Sequence, residues 1–196
     1  MCHRFLNDAM LFHLLLKIDR DLAKEVKEAR CPHCGDRLDV ANYRRKPRGI
    51  PDSVTLEADF DRRFSFCCDK CRRRATPPSV RFFGRRFYVG FLVVLITALS
   101  QGPSPSGKKV LRKIGVDRRT LKRWQQWWRE VFPKGMFWKA AKPGLYPRHP
   151  ADAGLPLTLA DVFSFLTTRE ALIKCLKFLS PITTSLAISK HANLWP

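Results

Sequence analysis

The sequence predicts a mainly α-helical protein with one small β module. Apolar residues recur at helical intervals in several segments, and proline- and glycine-rich stretches separate those segments. The β module is placed by four cysteines in two C-x-x-C pairs, Cys31 with Cys34 and Cys68 with Cys71. The 196 residues, 45% of them hydrophobic, suffice for one domain or two small ones.

Residues 1–30 are expected to form an N-terminal amphipathic helix, with residues 4–29 helical. Its apolar residues recur every three or four positions with charged residues between them, and they are Phe5, Phe12, Leu15, Leu16, Leu22 and Val26. The stretch lacks the small-residue cleavage site of a signal peptide, so we interpret it as a helix. This helix leads directly into Cys31.

Residues 31–80 are expected to form a module that resembles a zinc ribbon. Four thiolates held in two tight turns supply the tetrahedral set of soft ligands that structural zinc prefers, and they leave no coordination position for water. Strands are expected at residues 53–56 and 62–66. Closing the long loop between the pairs costs about 3 kcal/mol of chain entropy. A structural zinc ion contributes roughly 10–16 kcal/mol of binding free energy, which exceeds this cost, so the long spacing does not prevent a shared metal site.

The identity of the third metal ligand is open between two adjacent cysteines, Cys67 and Cys68. The spacing from Cys68 to Cys71 fits a tight turn better, and His33, inside the first turn, is expected to point away from the metal. A redox dithiol is the alternative chemistry, but the sequence lacks the strand–helix context of a thioredoxin. We expect one structural zinc ion and no catalytic site, with the ligands Cys31, Cys34, Cys68 and Cys71.

Positive charge is concentrated in the middle of the chain. The formal net charge is +20. Residues 62–129 hold 18 Lys/Arg and two acidic residues, whereas residues 1–61 hold 11 Lys/Arg and 11 acidic residues. A positive field of this density favours a polyanionic partner, most often nucleic acid.

Residues 81–133 are expected to form a helix-turn-helix domain. A core helix over residues 85–101 is followed by a loop rich in glycine, proline and serine. Two short helices are expected after it, over residues 108–114 and 118–132, and Pro133 ends the second.

The last of these helices has the two faces of a recognition helix. Gly115 can supply a left-handed turn before it, and Asp117 is a suitable N-cap. One face is apolar and is expected to pack in the core, through Leu121, Trp124, Trp128 and Val131. Long donors on the other face can bind bases in the major groove of double-stranded DNA. The DNA contacts expected from this helix are Arg118, Arg119, Thr120, Lys122, Arg123 and Gln126.

Two arginine clusters that precede this helix are expected to bind phosphates, which set affinity and register but not sequence preference. They are Arg72, Arg73 and Arg74, and Arg81, Arg85 and Arg86. A solvated basic surface is the alternative interpretation of these charges. RNA also stays open as a partner, since charge alone does not separate it from duplex DNA.

Residues 134–196 are expected to form a proline-rich arm and a C-terminal helical segment. One or two amphipathic helices over residues 158–179 offer a surface for a protein partner such as a transposase, or for a second copy of the chain. The longest apolar run, residues 87–99, is shorter than the roughly 20 residues that span a membrane, so no membrane partner is expected. We expect a cytoplasmic location, at the nucleoid in a bacterium.

Three segments together resemble a known arrangement: CPHCG, RFSFCCDKCRRRATPPSVRFFGRRFY and GVDRRTLKRW. Residues 31–132 are similar to the N-terminal DNA-binding region of insertion-sequence transposases and of small proteins encoded near such elements. The resemblance implies a zinc ribbon followed by a helix-turn-helix that binds element ends.

Transposases of this type also carry a ribonuclease-H-like domain with three carboxylates that hold two metal ions. Here only Asp152, Asp161 and Glu170 follow Glu130, and about 65 residues are too few for that fold. We therefore expect a non-catalytic DNA-binding protein of a mobile element, acting as a transposition accessory or end-binding protein. A bacterial transcriptional regulator is one alternative. A truncated transposase or a subunit of a nuclease or recombinase complex is the other.

Overall fold

A computed structural model describes residues 5–51, 53–83, 88–99, 111–145, 152–163 and 167–184. Within these ranges the protein is mainly α-helical with small antiparallel sheets, as the sequence predicts. None of the described helices is long and apolar enough to cross a membrane.

The N-terminal helix, α1, spans Ala9–Glu28 and is amphipathic, as expected, although it begins later than residue 4. Asp8 caps it, because its carboxylate accepts a hydrogen bond of 3.1 Å from the Leu11 amide. Its apolar face is buried at Leu11, Phe12, Leu15 and Leu16. Burial of this face anchors α1 on the main core.

Five short strands form the β module in two antiparallel sheets. The strands are β1 (Leu38–Val40), β2 (Tyr43–Arg44), β3 (Arg62–Arg63), β4 (Phe66–Cys68) and β5 (Arg74–Ala75). One sheet has the order β1-β4-β5, and the other pairs β2 with β3. The expected strand at residues 53–56 is wrong, since these residues form no strand. The expected strand at 62–66 is broken at Phe64 and Ser65.

A second hairpin precedes the most apolar helix. It consists of β6 (Phe82–Phe83) and β7 (Tyr88–Val89), and the helix α2 follows directly as Gly90–Leu99. The core helix predicted from residue 85 therefore begins only at Gly90, because Tyr88 and Val89 pair in the hairpin. Its residues Phe91 and Leu92 are buried, as expected for a core helix.

Residues 111–113 are helical, and the chain then turns at Gly115, whose φ of 64° lies in the left-handed region. The next helix, α3 (Arg118–Gln126), is capped by Asp117 as predicted. Regular α-helix ends at Gln126, earlier than expected, and continues as a π-helical turn, Trp127–Val131. The adjacent Trp127 and Trp128 are both buried in this wider turn.

The described parts of residues 133–156 are more regular than the irregular arm that the sequence predicts. They contain α4 (Met136–Ala141) and 3-10 turns at Lys142–Leu145 and Asp152–Gly154. Trp138 is buried in the core, and its indole nitrogen donates a hydrogen bond of 2.8 Å to Asp152. Proline and glycine content led to the expectation of an arm, and the burial of Trp138 is a tertiary contact that composition does not reveal.

The C-terminal helical segment is a pair of helices, α5 (Leu157–Val162) and α6 (Thr168–Leu179). Thr167 and Glu170 form a reciprocal capping box at the start of α6. Cys175 lies on this helix and is buried in the core.

The buried apolar residues form two clusters of unequal size. The larger joins buried apolar residues of the helices α1 to α6. The smaller surrounds the cysteine pairs and consists of Ala23, Cys31, Leu38, Phe66, Cys68 and Ala75. Phe64 packs against both clusters and so links them.

Candidate metal centre and basic surfaces

The two C-x-x-C pairs meet in space. The Sγ atoms of Cys31, Cys34, Cys68 and Cys71 all lie within 4.8 Å of one another. Cys31 and Cys71 are separated by 3.5 Å between sulfurs, and Cys34 and Cys68 by 3.4 Å. These four cysteines are close enough to hold one metal ion.

Each pair is presented by the same kind of turn. In the first turn the Gly35 amide donates to the Cys31 carbonyl over 2.9 Å, and in the second the Arg72 amide donates to Cys68 over 3.1 Å. Gly35 and Arg72 both have a left-handed backbone, with φ of 72° and 58°. Pairing of Leu38 with Cys68 between β1 and β4 brings the two turns together.

The structure places Cys68 in the cluster and Cys67 outside it. Neighbouring residues of a strand point to opposite faces, and Cys68 is fully buried. The Cys67 sulfur instead lies 3.5 Å from the Arg72 carbonyl oxygen. His33 also lies outside the cluster, and its Nδ1 is 3.2 Å from the guanidinium of Arg73.

The thiols of Cys31 and Cys71 differ in how readily they ionise. The backbone amide of His33 donates to the Cys31 sulfur and outweighs burial, so that the pKa of Cys31 falls to about 7. The Arg73 amide lowers the pKa of Cys71, but burial and the neighbouring thiols outweigh it and raise that pKa to about 12. A second negative charge is thus opposed by the first, and a central cation relieves this repulsion.

The dimensions of the cluster fit a four-thiolate metal site. Four bonds of about 2.3 Å to a tetrahedral zinc ion place the sulfurs about 3.8 Å apart. Two of the distances between sulfurs are 3.4 and 3.5 Å, and none exceeds 4.8 Å, so the observed range includes that value. The donor set therefore suits a soft divalent metal with no open coordination position.

No protein-family model, curated protein or solved structure matches this chain. The resemblance of residues 31–132 to transposase DNA-binding regions stays an expectation that no match tests.

The second candidate surface lies on α3. Arg118, Arg119 and Lys122 are exposed, while Trp124 on the other side is buried and packs edge-on against Tyr88, with ring centroids 4.9 Å apart. The core position predicted for the tryptophans is thus confirmed. The helix is held by its apolar face and presents a row of cations to solvent.

Two residues expected to contact DNA from α3 serve other roles in the structure. The expected contact by Thr120 is wrong, because Thr120 is buried in the helix cap. Its amide donates to the Asp117 carboxylate over 2.6 Å, its hydroxyl donates to the same group, and the hydroxyl accepts from Arg123. Gln126 is exposed but donates its amide hydrogen to Glu130 over 2.9 Å.

The expected phosphate contact by Arg81 is also wrong. This side chain is fully buried and forms a 2.8 Å ion pair with Asp19. Its remaining donors bind the backbone carbonyls of Phe60 and Arg62. Burial lowers the pKa of Arg81, and the nearby Asp19 carboxylate opposes that shift. Arg85 and Arg86, the other members of its cluster, lie outside the described residues.

The arginines that follow the second cysteine pair are exposed, as a phosphate-binding role requires. Arg74 is also tethered, since it donates to the Ala41 carbonyl over 3.1 Å and to the Ser65 hydroxyl over 2.9 Å.

From the sequence, no role was assigned to Asp19, which organises the buried network around Arg81. An acidic residue on the otherwise apolar side of a predicted helix was the signal for it.

Proposed function

We propose that this protein is a non-catalytic DNA-binding protein whose β module is a zinc ribbon stabilised by one structural zinc ion. An all-cysteine tetrahedral donor set is typical of structural zinc and leaves no position for a reactive water. The small cluster of apolar residues around the cysteines supports this role, because six residues supply little burial energy for an independent fold.

The observation that carries the proposal is the arrangement of α3. Its buried face is fixed by Trp124, and its other face exposes Arg118, Arg119 and Lys122. The glycine turn and the aspartate cap that precede it match the connection of a helix-turn-helix. In our proposal α3 enters the major groove of duplex DNA, with the arginines that follow Cys71 on the phosphates.

Binding of a fluorescein-labelled duplex of mixed sequence, followed by anisotropy, tests this proposal. Neutralisation of about six phosphates gives a slope near −5 for log affinity against log salt. The double variant Arg119→Ala/Lys122→Ala is expected to bind at least roughly tenfold more weakly and to retain its metal and its helical circular dichroism.

The matched control removes two cations from exposed positions on other helices, Lys139→Ala/Lys174→Ala. This variant is expected to stay close to wild-type affinity, apart from a small loss of long-range attraction. Equal affinity of the α3 variant and the control variant would show that α3 is not the recognition helix.

The biological setting follows from the resemblance of residues 31–132, and we propose that the DNA site is the end of a mobile element. Regulation of a promoter is the second candidate. Footprinting on DNA that contains both kinds of site distinguishes them, because protection of element termini supports the first and protection of a promoter alone supports the second.

A further inference from the structure

Two basic runs that are far apart in the sequence meet at one tyrosine. The guanidinium carbon of Arg45 lies 5.0 Å from the ring centroid of Tyr43, and that of Arg74 lies 5.5 Å from the same centroid. Each distance is within the range of a cation–π interaction. The run that begins at residue 43 and the run that follows Cys71 therefore share a surface.

Backbone pairing and hydrogen bonds hold this arrangement in place. Tyr43 lies in β2, directly opposite Arg63 of β3. Arg74 reaches back from β5 to the Ala41 carbonyl and the Ser65 hydroxyl. The amide of Arg45 donates to the Asp61 carbonyl over 2.7 Å. Both guanidinium groups therefore approach the ring from anchored backbone.

The resulting patch is strongly positive. We call it the module surface and define it as Tyr43, Arg44, Arg45, Lys46 and Arg74; its four cationic residues are all exposed. Within it, Arg44 forms an ion pair of 3.4 Å with Asp61. Four exposed cations on one surface create a positive field that attracts an anion.

We infer that the module surface is a second contact for the phosphate backbone of duplex DNA, separate from α3. This inference rests on the proposed function as a DNA-binding protein. An arginine that is stacked on an aromatic ring loses less freedom on binding, and its planar fork can engage a phosphate bidentately.

The geometry favours a duplex backbone over a single strand. Proteins that bind single strands offer aromatic faces on which bases stack. Here two guanidinium groups lie over the Tyr43 ring, so the ring serves to position arginines and is not an open platform for a base. Contacts of this kind fix affinity and register without reading sequence.

The test compares two variants that lose the same charge. Arg45→Gln/Lys46→Gln changes the module surface, and Lys139→Gln/Lys174→Gln removes two cations from α4 and α6. Binding of the labelled mixed-sequence duplex is measured from about 50 to 200 mM salt. The module variant is expected to bind roughly tenfold more weakly with a slope shallower by about 1.8, and the control to keep the wild-type slope.

Tyr43 is a positioning residue, and its variants test the stack itself. Tyr43→Phe keeps the aromatic ring and is expected to keep affinity, whereas Tyr43→Leu is expected to weaken binding several-fold with metal content and circular dichroism unchanged. Equal losses in the two variants would overturn the stacking role.

The remaining outcomes separate this inference from the proposed function. If the module variant binds like the control while Arg119→Ala/Lys122→Ala binds weakly, the module surface is not a DNA contact and the proposed function stands. If the wild-type protein binds no duplex DNA, both the inference about the module surface and the proposed function are wrong. Tighter binding of a single-stranded oligonucleotide or of duplex RNA would overturn the assignment to duplex DNA.

Discussion

Arg72 occupies a backbone conformation that is ordinarily left to glycine. It stands at the same position of the second cysteine turn as Gly35 in the first, and both have positive φ. A side chain in the left-handed region costs about 1 kcal/mol or more. Such strain is often found at functional sites. Arg72 is exposed, and in our proposal it is a phosphate contact beside the candidate metal centre.

The variant Arg72→Gly is expected to stabilise the module by about 0.5–1 kcal/mol because it removes this strain. The same change is expected to weaken DNA binding because it removes a cation. Urea titration of metal release, with a zinc-binding dye as indicator, measures the first effect, and anisotropy measures the second. Arg73→Gly is the control, since Arg73 has no positive φ, and it should give no gain in stability.

The neighbouring thiols Cys67 and Cys68 are expected to behave in opposite ways on substitution. Cys68→Ser removes a sulfur from the cluster and should abolish stable metal binding, as Cys34→Ser should. Cys67→Ser changes only a thiol that faces the Arg72 carbonyl, so the variant should retain about one metal ion per chain. Elemental analysis after dialysis measures both contents and identifies the metal. Loss of metal from Cys67→Ser would show that the assignment is wrong and that Cys67 is a metal ligand.

At the scale of elements, one carboxylate on α1 holds three parts of the chain together. Asp19 accepts hydrogen bonds from the Ser79 hydroxyl, the Val80 amide and the Arg81 guanidinium, at 2.6, 2.7 and 2.8 Å. Ser79 in turn donates its amide hydrogen to Thr183 in the 3-10 turn Ser180–Thr183, which follows α6. This network fixes the start of the second hairpin between α1 and the C-terminal turn.

Asp19→Asn should destabilise the protein by about 3–5 kcal/mol, because it leaves the Arg81 cation buried without its counter-charge. Asp21→Asn, two residues along the same helix, is the matched control, because Asp21 is exposed and should change stability by no more than about 0.5 kcal/mol. Urea denaturation followed by tryptophan fluorescence measures both. Equal stability of the two variants would mean that the buried ion pair does not support the fold.

Local patterns predicted the elements that depend on neighbouring residues. The period of α1, the turn at Gly115 and the cap at Asp117 are set by interactions within a few positions, so the sequence alone reveals them. Tertiary contacts decided the errors. The sequence suggests that Arg81 is a surface cation, but in the structure it pairs with the buried Asp19. Residues 133–156 are rich in proline and glycine, but Trp138 within them is buried in the core.

In the candidate site, too, local sequence predicts some features and tertiary contacts decide the others. The spacing within each C-x-x-C pair predicts a metal turn, and the pairing of Leu38 with Cys68 then selects Cys68 over Cys67. The meeting of Arg45 and Arg74 at Tyr43 had no local signal, because it depends on how separate strands pair.

At the scale of the whole molecule, the two apolar clusters differ in what stabilises them. The main core contains many buried side chains from the helices α1 to α6, whereas the smaller cluster contains six residues, two of them cysteines of the candidate metal centre. Apolar burial contributes about 25 cal/mol per Å², so the main core should be stable without metal and the smaller cluster should depend on it.

Removal of the metal is therefore expected to unfold the β module and leave the helical core folded. Four of the five tryptophans, Trp124, Trp127, Trp128 and Trp138, are buried in the main cluster and report on the core, while Trp195 lies outside the described residues. Excess chelator should leave their emission blue-shifted, while trypsin begins to cut between residues 37 and 74. Readdition of zinc should restore protection. A red shift of the emission on chelation would show instead that Phe64, which packs against both clusters, makes them one cooperative unit.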